Sequence, residues 1–365
     1  MCADCHSTNL KKNYDVETKK YDTTWDVINV SCEACHGPAS EHMKWSEDQT
    51  SDMPHKGFAL SFKHKSGRWD VNTTTKKSEL TDREIEVCAK CHSRRSQLDD
   101  NFVPGDRFTD HYMPVTLAEG LYFADGKIQD EVYVYDSFLQ SKMYEKGVTC
   151  TDCHDPHTLD RKGAGDKVCF QCHQTEKYSS TSHHFHQEGS TGSSCVSCHM
   201  PARTYMGVDS RNDHSFRVPR PDISVEMEEI PNACNLCHTD KDAKWAADAM
   251  KSWYVKIPVG KQNFAHSLKA LRTNSHDAPK KLYEVLLSDA PDIAKATVVS
   301  HLGNYPSKQT YTTTLQMLKN KDELIRRSAL QALEAFPPQM RVKKTLEMLN
   351  DPIKIVRMEA ARQLA

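Results

Sequence analysis

The sequence predicts a mainly α fold with much irregular structure, in two unlike parts: a cysteine- and histidine-rich part over residues 1–245 and a helical-repeat part over residues 246–365. Three observations predict it. All fourteen cysteines fall before residue 240, each in a Cys-x-x-Cys-His unit. Apolar residues are only 38% of the 365, against about 45–50% in ordinary globular chains, and mean hydropathy is −0.70. Past His238 cysteine is absent and apolar residues recur at helical period.

The Cys-x-x-Cys-His unit occurs seven times: Cys2/Cys5/His6, Cys32/Cys35/His36, Cys88/Cys91/His92, Cys150/Cys153/His154, Cys169/Cys172/His173, Cys195/Cys198/His199 and Cys234/Cys237/His238. It is the attachment signature of a c-type haem: two thiols add to the vinyl groups on one porphyrin edge, and the histidine ligates the iron. Zinc sites need four ligands and do not require histidine directly after the second cysteine. A redox dithiol would occur once, near a βαβ pattern. Seven units therefore predict seven covalent haems. Fourteen residues separate His154 from Cys169, so those two macrocycles must lie close together. The first part is then a multihaem cytochrome c domain wrapped around its haems, and porphyrin supplies the core that the composition lacks.

Net charge is −2 and the isoelectric point is near 6.8, which gives no case for nucleic acid or an anionic membrane surface. No run of about 18 apolar residues exists to cross a membrane. Covalent haem attachment in bacteria takes place outside the cytoplasm, so a periplasmic or extracellular protein is expected. Met1 is followed at once by Cys2 with no export signal, which suggests a chain lacking its leader.

In chain order, Trp25–Val30 is expected to be a short extended segment, and Gly37-Pro38 to turn the chain back so that His42 reaches a neighbouring iron. Residues 44–82 form a polar surface excursion containing His55 and His64. Thr81–Glu84 has capping-box form and should start the helix ending on Cys88 and Cys91. Arg94 and Arg95 are expected to be a solvated face or partners of haem propionates. Asp125-Gly126 predicts a β-hairpin between Leu121–Ala124 and Lys127–Tyr135, followed by a helix over Ser137–Tyr144. In the second part a 31-residue repeat aligns Leu287, Leu318 and Leu349; Ile293, Leu324 and Ile355; Lys295, Arg326 and Arg357; and Leu302, Leu333 and Leu364. Each unit is predicted to be two antiparallel helices of a HEAT-like α-solenoid, with the Lys/Arg column as its HEAT-like mark. Its last helix lacks a polar cap, so further chain is expected.

The seven motif histidines leave twelve others. His266, His276 and His301 lie among the repeats and are expected to be surface or packing residues. Each low-spin haem needs a sixth ligand. His42 and His157 are candidates because each follows a motif across a Gly-Pro or Asp-Pro turn. His111 and His214 each follow an aspartate that could orient the ring. His183 and His186 are preferred to His184 within their cluster.

Three stretches resemble a known family: Cys32–Glu–Ala–Cys–His–Gly–Pro–Ala–Ser–Glu–His42, the doubled unit opening Gly147–Val–Thr–Cys–Thr–Asp–Cys–His–Asp–Pro–His157, and Cys195–Val–Ser–Cys–His–Met–Pro201 followed by Asp213–His214. They look like the multihaem cytochromes related to cytochrome c554, pentahaem nitrite reductase and octahaem hydroxylamine oxidoreductase. More closely, the chain resembles bacterial multihaem cytochromes fused to C-terminal helical repeats, whose members generally carry a further haem motif before the segment matching Met1–Leu10. The resemblance covers about residues 1–250 and the solenoid only in kind. It implies the haem scaffold and bis-histidine wiring. Pentahaem nitrite reductases carry Cys-x-x-Cys-Lys at the catalytic haem, whereas every copy here ends in histidine, so nitrite reduction is not implied.

Two functions compete. In the first, closely spaced haems carry electrons to redox partner proteins or neighbouring cytochromes, while the solenoid docks a partner or another copy. In the second, one five-coordinate haem oxidises or reduces a small nitrogen or sulfur compound, with Tyr133, Tyr135, Arg203 and Tyr205 as candidate lining. No residue set forms a catalytic constellation, which favours electron transfer.

Overall fold

In the computed structural model, residues 2–49, 52–58, 79–205 and 207–365 are described. Helices of eight or more residues are α1 (Ser40–Glu47), α2 (Glu79–His92), α3 (Ala243–Trp253), α4 (Ala265–Arg272), α5 (Ala278–Leu287), α6 (Asp292–Ser300), α7 (Lys308–Met317), α8 (Glu323–Leu333), α9 (Pro338–Met348) and α10 (Lys354–Leu364). Sheet is confined to three two-stranded antiparallel pairs: β1 (Tyr14–Asp15) with β2 (Lys20–Tyr21), β3 (Arg95–Gln97) with β4 (Tyr112–Pro114), and β5 (Ala202–Tyr205) with β6 (Asp209–Asn212).

The first pair continues as bridges from Lys11 to Thr24 and from Thr8 to Val27, all in one register. Side chains alternate across such a ribbon. Leu10, Tyr14, Tyr21, Trp25 and Val27 therefore share one face, and the other face is polar. The extended stretch expected from Trp25 onward pairs only as far as Val27. Gly37 takes the expected turn at φ 79°. Helix α2 begins at Glu79, two residues before the capping box, and ends on the third motif.

The Asp125-Gly126 turn forms, with the Phe123 N–H donating to the Lys127 carbonyl at 2.9 Å. Only the isolated bridge between Tyr122 and Ile128 follows, not a hairpin. A side chain at Gly126 would strike Gln140, Arg217 and Phe264, so the turn is buried against three segments rather than paired as a ribbon. The helix expected over Ser137–Tyr144 divides into Tyr135–Phe138 and Lys142–Glu145. The Ser141 side chain accepts the Tyr144 N–H at 3.0 Å and starts a new turn, as an N-cap does.

Helices α5 to α10 form three helical hairpins. Helices α6, α8 and α10 pack in succession, with α7 and α9 against α8 and α10. Ile293, Leu302, Leu318, Leu324, Leu333 and Ile355 are buried as the repeat requires; Leu287 and Leu349 are exposed. In the Lys/Arg column, Arg326 joins two successive units and Arg357 donates to the Asp351 carbonyl of its own hairpin. Arg326 donates two hydrogen bonds to Asp351 of the next hairpin, at 2.7 and 2.9 Å, and one to each of the Asn320 and Lys321 carbonyls.

The hydrophobic core of these helices runs on without a break into Leu117, Tyr122, Phe123, Ile128, Val132 and Leu139. The Leu117 N–H donates to Thr297 Oγ1 at 3.0 Å, and Arg272 donates to the Leu117 carbonyl at 3.1 Å. Farther out, Thr109 bonds Glu323, and the Lys354 N–H bonds Asp110. The sequence-based boundary at 245 falls inside α3, whose Ala246, Ala247 and Met250 are buried.

Candidate haem sites

Each motif lies on one helical turn. The His36, His154, His173 and His238 N–H groups donate to the carbonyls of Cys32, Cys150, Cys169 and Cys234, four residues back, at 2.9–3.0 Å. Positions i, i+3 and i+4 share one face of such a turn, so both thiols and the imidazole present together. Local sequence fixes the turns: at Cys150–Cys153 the Asp152 carboxylate accepts the Thr149 N–H at 2.7 Å as half of a capping box. All fourteen cysteines are free of disulfides. Thiols and imidazole together are the donor set that a c-type haem needs.

The imidazoles fall into pairs. Ring centres are 6.2 Å apart for His36 and His157, 6.3 Å for His154 and His214, 6.2 Å for His199 and His183, and 6.1 Å for His238 and His186. An iron held between two imidazole nitrogens by bonds of about 2 Å sets ring centres about 6 Å apart. Burial holds His36, His92, His154, His173, His183 and His214 below the ordinary imidazole pKa, which keeps them neutral and able to coordinate. The ring of His214 is oriented through Nδ1 by the Asn212 carbonyl at 2.9 Å, and not by Asp213, which caps Ser215. His199 Nδ1 meets the Arg217 carbonyl at 2.5 Å.

Among the described residues, His42 and His111 are not brought opposite a motif histidine. The His42 ring stacks on Phe58 at 3.9 Å, and its Nδ1 meets the Lys56 carbonyl. His111 sits between Asp99 and Asp106, at 2.8 and 3.4 Å. His184 Nδ1 accepts the His186 N–H. His55 is exposed, and His64 lies outside the described residues. His6, His92 and His173 have no described imidazole at the paired spacing; His173 faces the edge of Tyr178 at 5.5 Å.

The attachment cysteines of different motifs lie near one another. Cys5 Sγ donates to the Cys91 carbonyl at 3.7 Å, and Cys91 Sγ returns a bond to Cys5 at 3.8 Å. Cys88 bonds Cys150, and Cys169 bonds Cys195. Cys153 neighbours Cys169 and Cys172; Cys198 neighbours Cys234 and Cys237; Cys35 neighbours Cys88. The order is thus first, third, fourth, fifth, sixth, seventh, with the second beside the third. One cavity of about 1550 Å³ runs past the last four motifs. That exceeds the roughly 300–1,000 Å³ of a single ligand site. Asp166 gathers with Cys169 and Cys195, but both thiols belong to motifs, so the group marks two adjoining attachments.

Tyr133 and Tyr205 converge on Arg211, whose guanidinium lies 5.3 Å from each ring and whose charge reaches His92. Arg211 carried no sequence signal. Tyr135 instead packs on Phe108, and Arg203 lies over Phe123. Arg94 and Arg95 are tied to protein groups: Arg94 to the Glu131 carbonyl, and Arg95 to Asp4 and the Lys90 carbonyl.

Attachment turns of this kind, strung along one chain and followed by stacked helical hairpins, make the protein a multihaem c-type cytochrome with C-terminal HEAT repeats. Residues 1–37 match the family of cytochrome c554 and c-prime, residues 142–178 the doubled CXXCH motif, and residues 279–365 the HEAT repeats. No curated protein matches the chain. Among solved structures, the crystal structure of the outer cell wall cytochrome OcwA is similar, at 18% identity over 92% of this chain and 75% of that one, with a TM-score of 0.49. No described helix is long and apolar enough to cross a membrane.

Proposed function

We propose that the protein carries electrons along seven covalently attached haems, outside the cytoplasm, between redox partner proteins. Haem iron supplies one-electron chemistry; the chain supplies attachment, axial ligands and spacing. The observation that supports the reading is that the attachment cysteines of successive motifs lie near one another along the fold, as closely spaced haems require. The axial pairs are His36 with His157, His154 with His214, His199 with His183, and His238 with His186. Such pairing keeps iron six-coordinate in both oxidation states. Cys2, Cys32, Cys35 and Cys237, at the ends of the series, are exposed, whereas the cysteines of the middle motifs are half-buried. The ends are therefore where partners, or a second copy, exchange electrons, and the HEAT repeats offer a surface for holding them.

Voltammetry of the matured protein on an electrode tests this. The reversible envelope should integrate to seven electrons and remain unchanged on adding nitrite or hydroxylamine. A catalytic wave would favour a second reading, in which one haem transforms a small nitrogen or sulfur compound. The observation behind that reading is the Arg211 cluster with Tyr133 and Tyr205 near His92, a histidine without a described imidazole opposite.

A further inference from the structure

Helix α3 opens the repeat part, yet it braces both sides of the last haem site. Asp242 caps it by accepting the Trp245 N–H at 2.7 Å, which fixes its first turn. Trp245 then lies 4.8 Å from the ring of His238. Eight residues on, about 12 Å along the axis, Trp253 stands 6.3 Å from His186, the imidazole opposite His238.

The segment that holds His183 and His186 is short and backbone-strained. The turn Thr181–His184 ends at Phe185, which adopts φ 56°, ψ 26°. A bulky residue seldom takes that left-handed conformation unless its surroundings impose it. Two neighbours do so. The Phe185 ring stacks on Trp253 at 4.6 Å with the planes 4° apart, and meets the edge of Tyr254 at 5.6 Å. The Tyr254 hydroxyl donates to the His183 carbonyl at 2.7 Å. On the far side His186 rests against Gly192, where an added Cβ would lie 2.2 Å from the imidazole. The left-handed residue is what turns two imidazoles three positions apart toward two different motif histidines, His199 and His238.

We propose that Trp253 and Tyr254 are positioning residues that hold the distal ligands of the last two haems, so that the first helix beyond the haem motifs sets the coordination of both irons. The inference rests on the reading of His183 and His186 as axial ligands. Trp253 acts through Phe185 and also bounds His186 directly; Tyr254 acts through the His183 carbonyl.

The test uses the matured full-length protein and counts haems that bind carbon monoxide after reduction, with total haem measured by pyridine haemochrome. His183→Ala and His186→Ala serve as references, and each should add one CO-binding haem to the wild-type count. Trp253→Ala should add one or two at unchanged haem content, and Trp253→Phe, which keeps the stack, should restore the wild-type count. Tyr254→Phe should open a fraction of one haem. If Trp253→Ala takes up less haem, Trp253→Leu, which keeps bulk without a ring, gives the same readout. Wild-type CO uptake in the fully haem-loaded Trp253→Ala or Trp253→Leu protein, with the two histidine variants responding, would overturn the positioning role and leave the ligand assignment standing. No response in either histidine variant would remove the ligand assignment and the inference with it.

Discussion

Residues 140–204 and residues 264–360 are stabilised in opposite ways. The first stretch holds three attachment motifs and no buried apolar side chain among its described residues. Its structure is one-turn helices, 3-10 turns and loops around the large cavity. The second has no cysteine and buries apolar side chains on five of its seven helices, α7 and α9 burying only threonines. In one, the interior is left for porphyrin; in the other, the chain fills its own interior. The segment from Ile85 to Leu139 mediates between them. It carries one motif, has buried apolar residues of its own, and continues the core of the helical repeats. The repeats are thus the apolar wall on which part of the haem assembly is built.

Withholding haem should break this contrast most completely. A chain expressed without haem attachment should lose protease resistance across residues 140–204 while the repeats keep their helical circular dichroism. The logic is that of small metallo-domains that fold only when loaded. Equal resistance in both regions would mean that the haem region has a protein core after all.

Deleting residues from about 250 onward should come next in size. Composition alone suggests a dispensable solenoid, but the shared core and the aromatic brace at Trp253 imply otherwise. Haem content of the truncated chain should fall, as measured by pyridine haemochrome; full loading with an unaltered spectrum would show the two parts to be separable.

Within the repeats, Leu330→Ala removes a fully buried side chain of α8. It should lower the stability of the repeat part by about 2–5 kcal/mol in denaturant unfolding, with no change in the haem spectrum. Asp351→Ala strands Arg326 between two hairpins. Breaking a buried pair costs about 3–5 kcal/mol; here about 2 kcal/mol is expected, because the guanidinium keeps the Asn320 and Lys321 carbonyls.

The smallest effect is at the outer contact between the two parts, where Lys354 of α10 meets Asp99. Burial raises the Asp99 pKa, but the bonds from Lys354 and His111 outweigh it and bring it to about 2. The folded value lies below the ordinary carboxylate value, so the contribution to stability is complete above about pH 4 and fades as pH falls through about 2. The Tm difference between wild type and Asp99→Asn should therefore narrow between about pH 4 and about pH 2.

How legible each region was follows from the same contrast. Attachment is local chemistry, so the motif is legible from spacing alone, and each of its copies lies on one helical turn. The repeat was legible because helix packing imposes a period; Arg326 and Asp351 show the physical reason for its basic column. Partnerships across the fold were not legible. His157 lies opposite His36 and not beside its own motif's histidine, because tertiary packing of separate turns decides which imidazoles face each other. The carboxylates at the His111 ring are those of Asp99 and Asp106, not that of the preceding Asp110, and neither could be read from the sequence. Trp253 carries no signal in the sequence, because its stack on Phe185 is a tertiary contact. The pair β3 and β4 left no trace in sequence, being three residues long on each side.

Electron paramagnetic resonance of the fully oxidised, matured protein tests the central claim, that paired imidazoles hold the haem irons in an electron-carrying series. Low-spin signals should account for at least the four haems attached beside His36, His154, His199 and His238, and nitrite, hydroxylamine and cyanide should leave those signals unchanged. High-spin signals from any of these four, shifting with those ligands, would contradict the axial pairing on which the series depends.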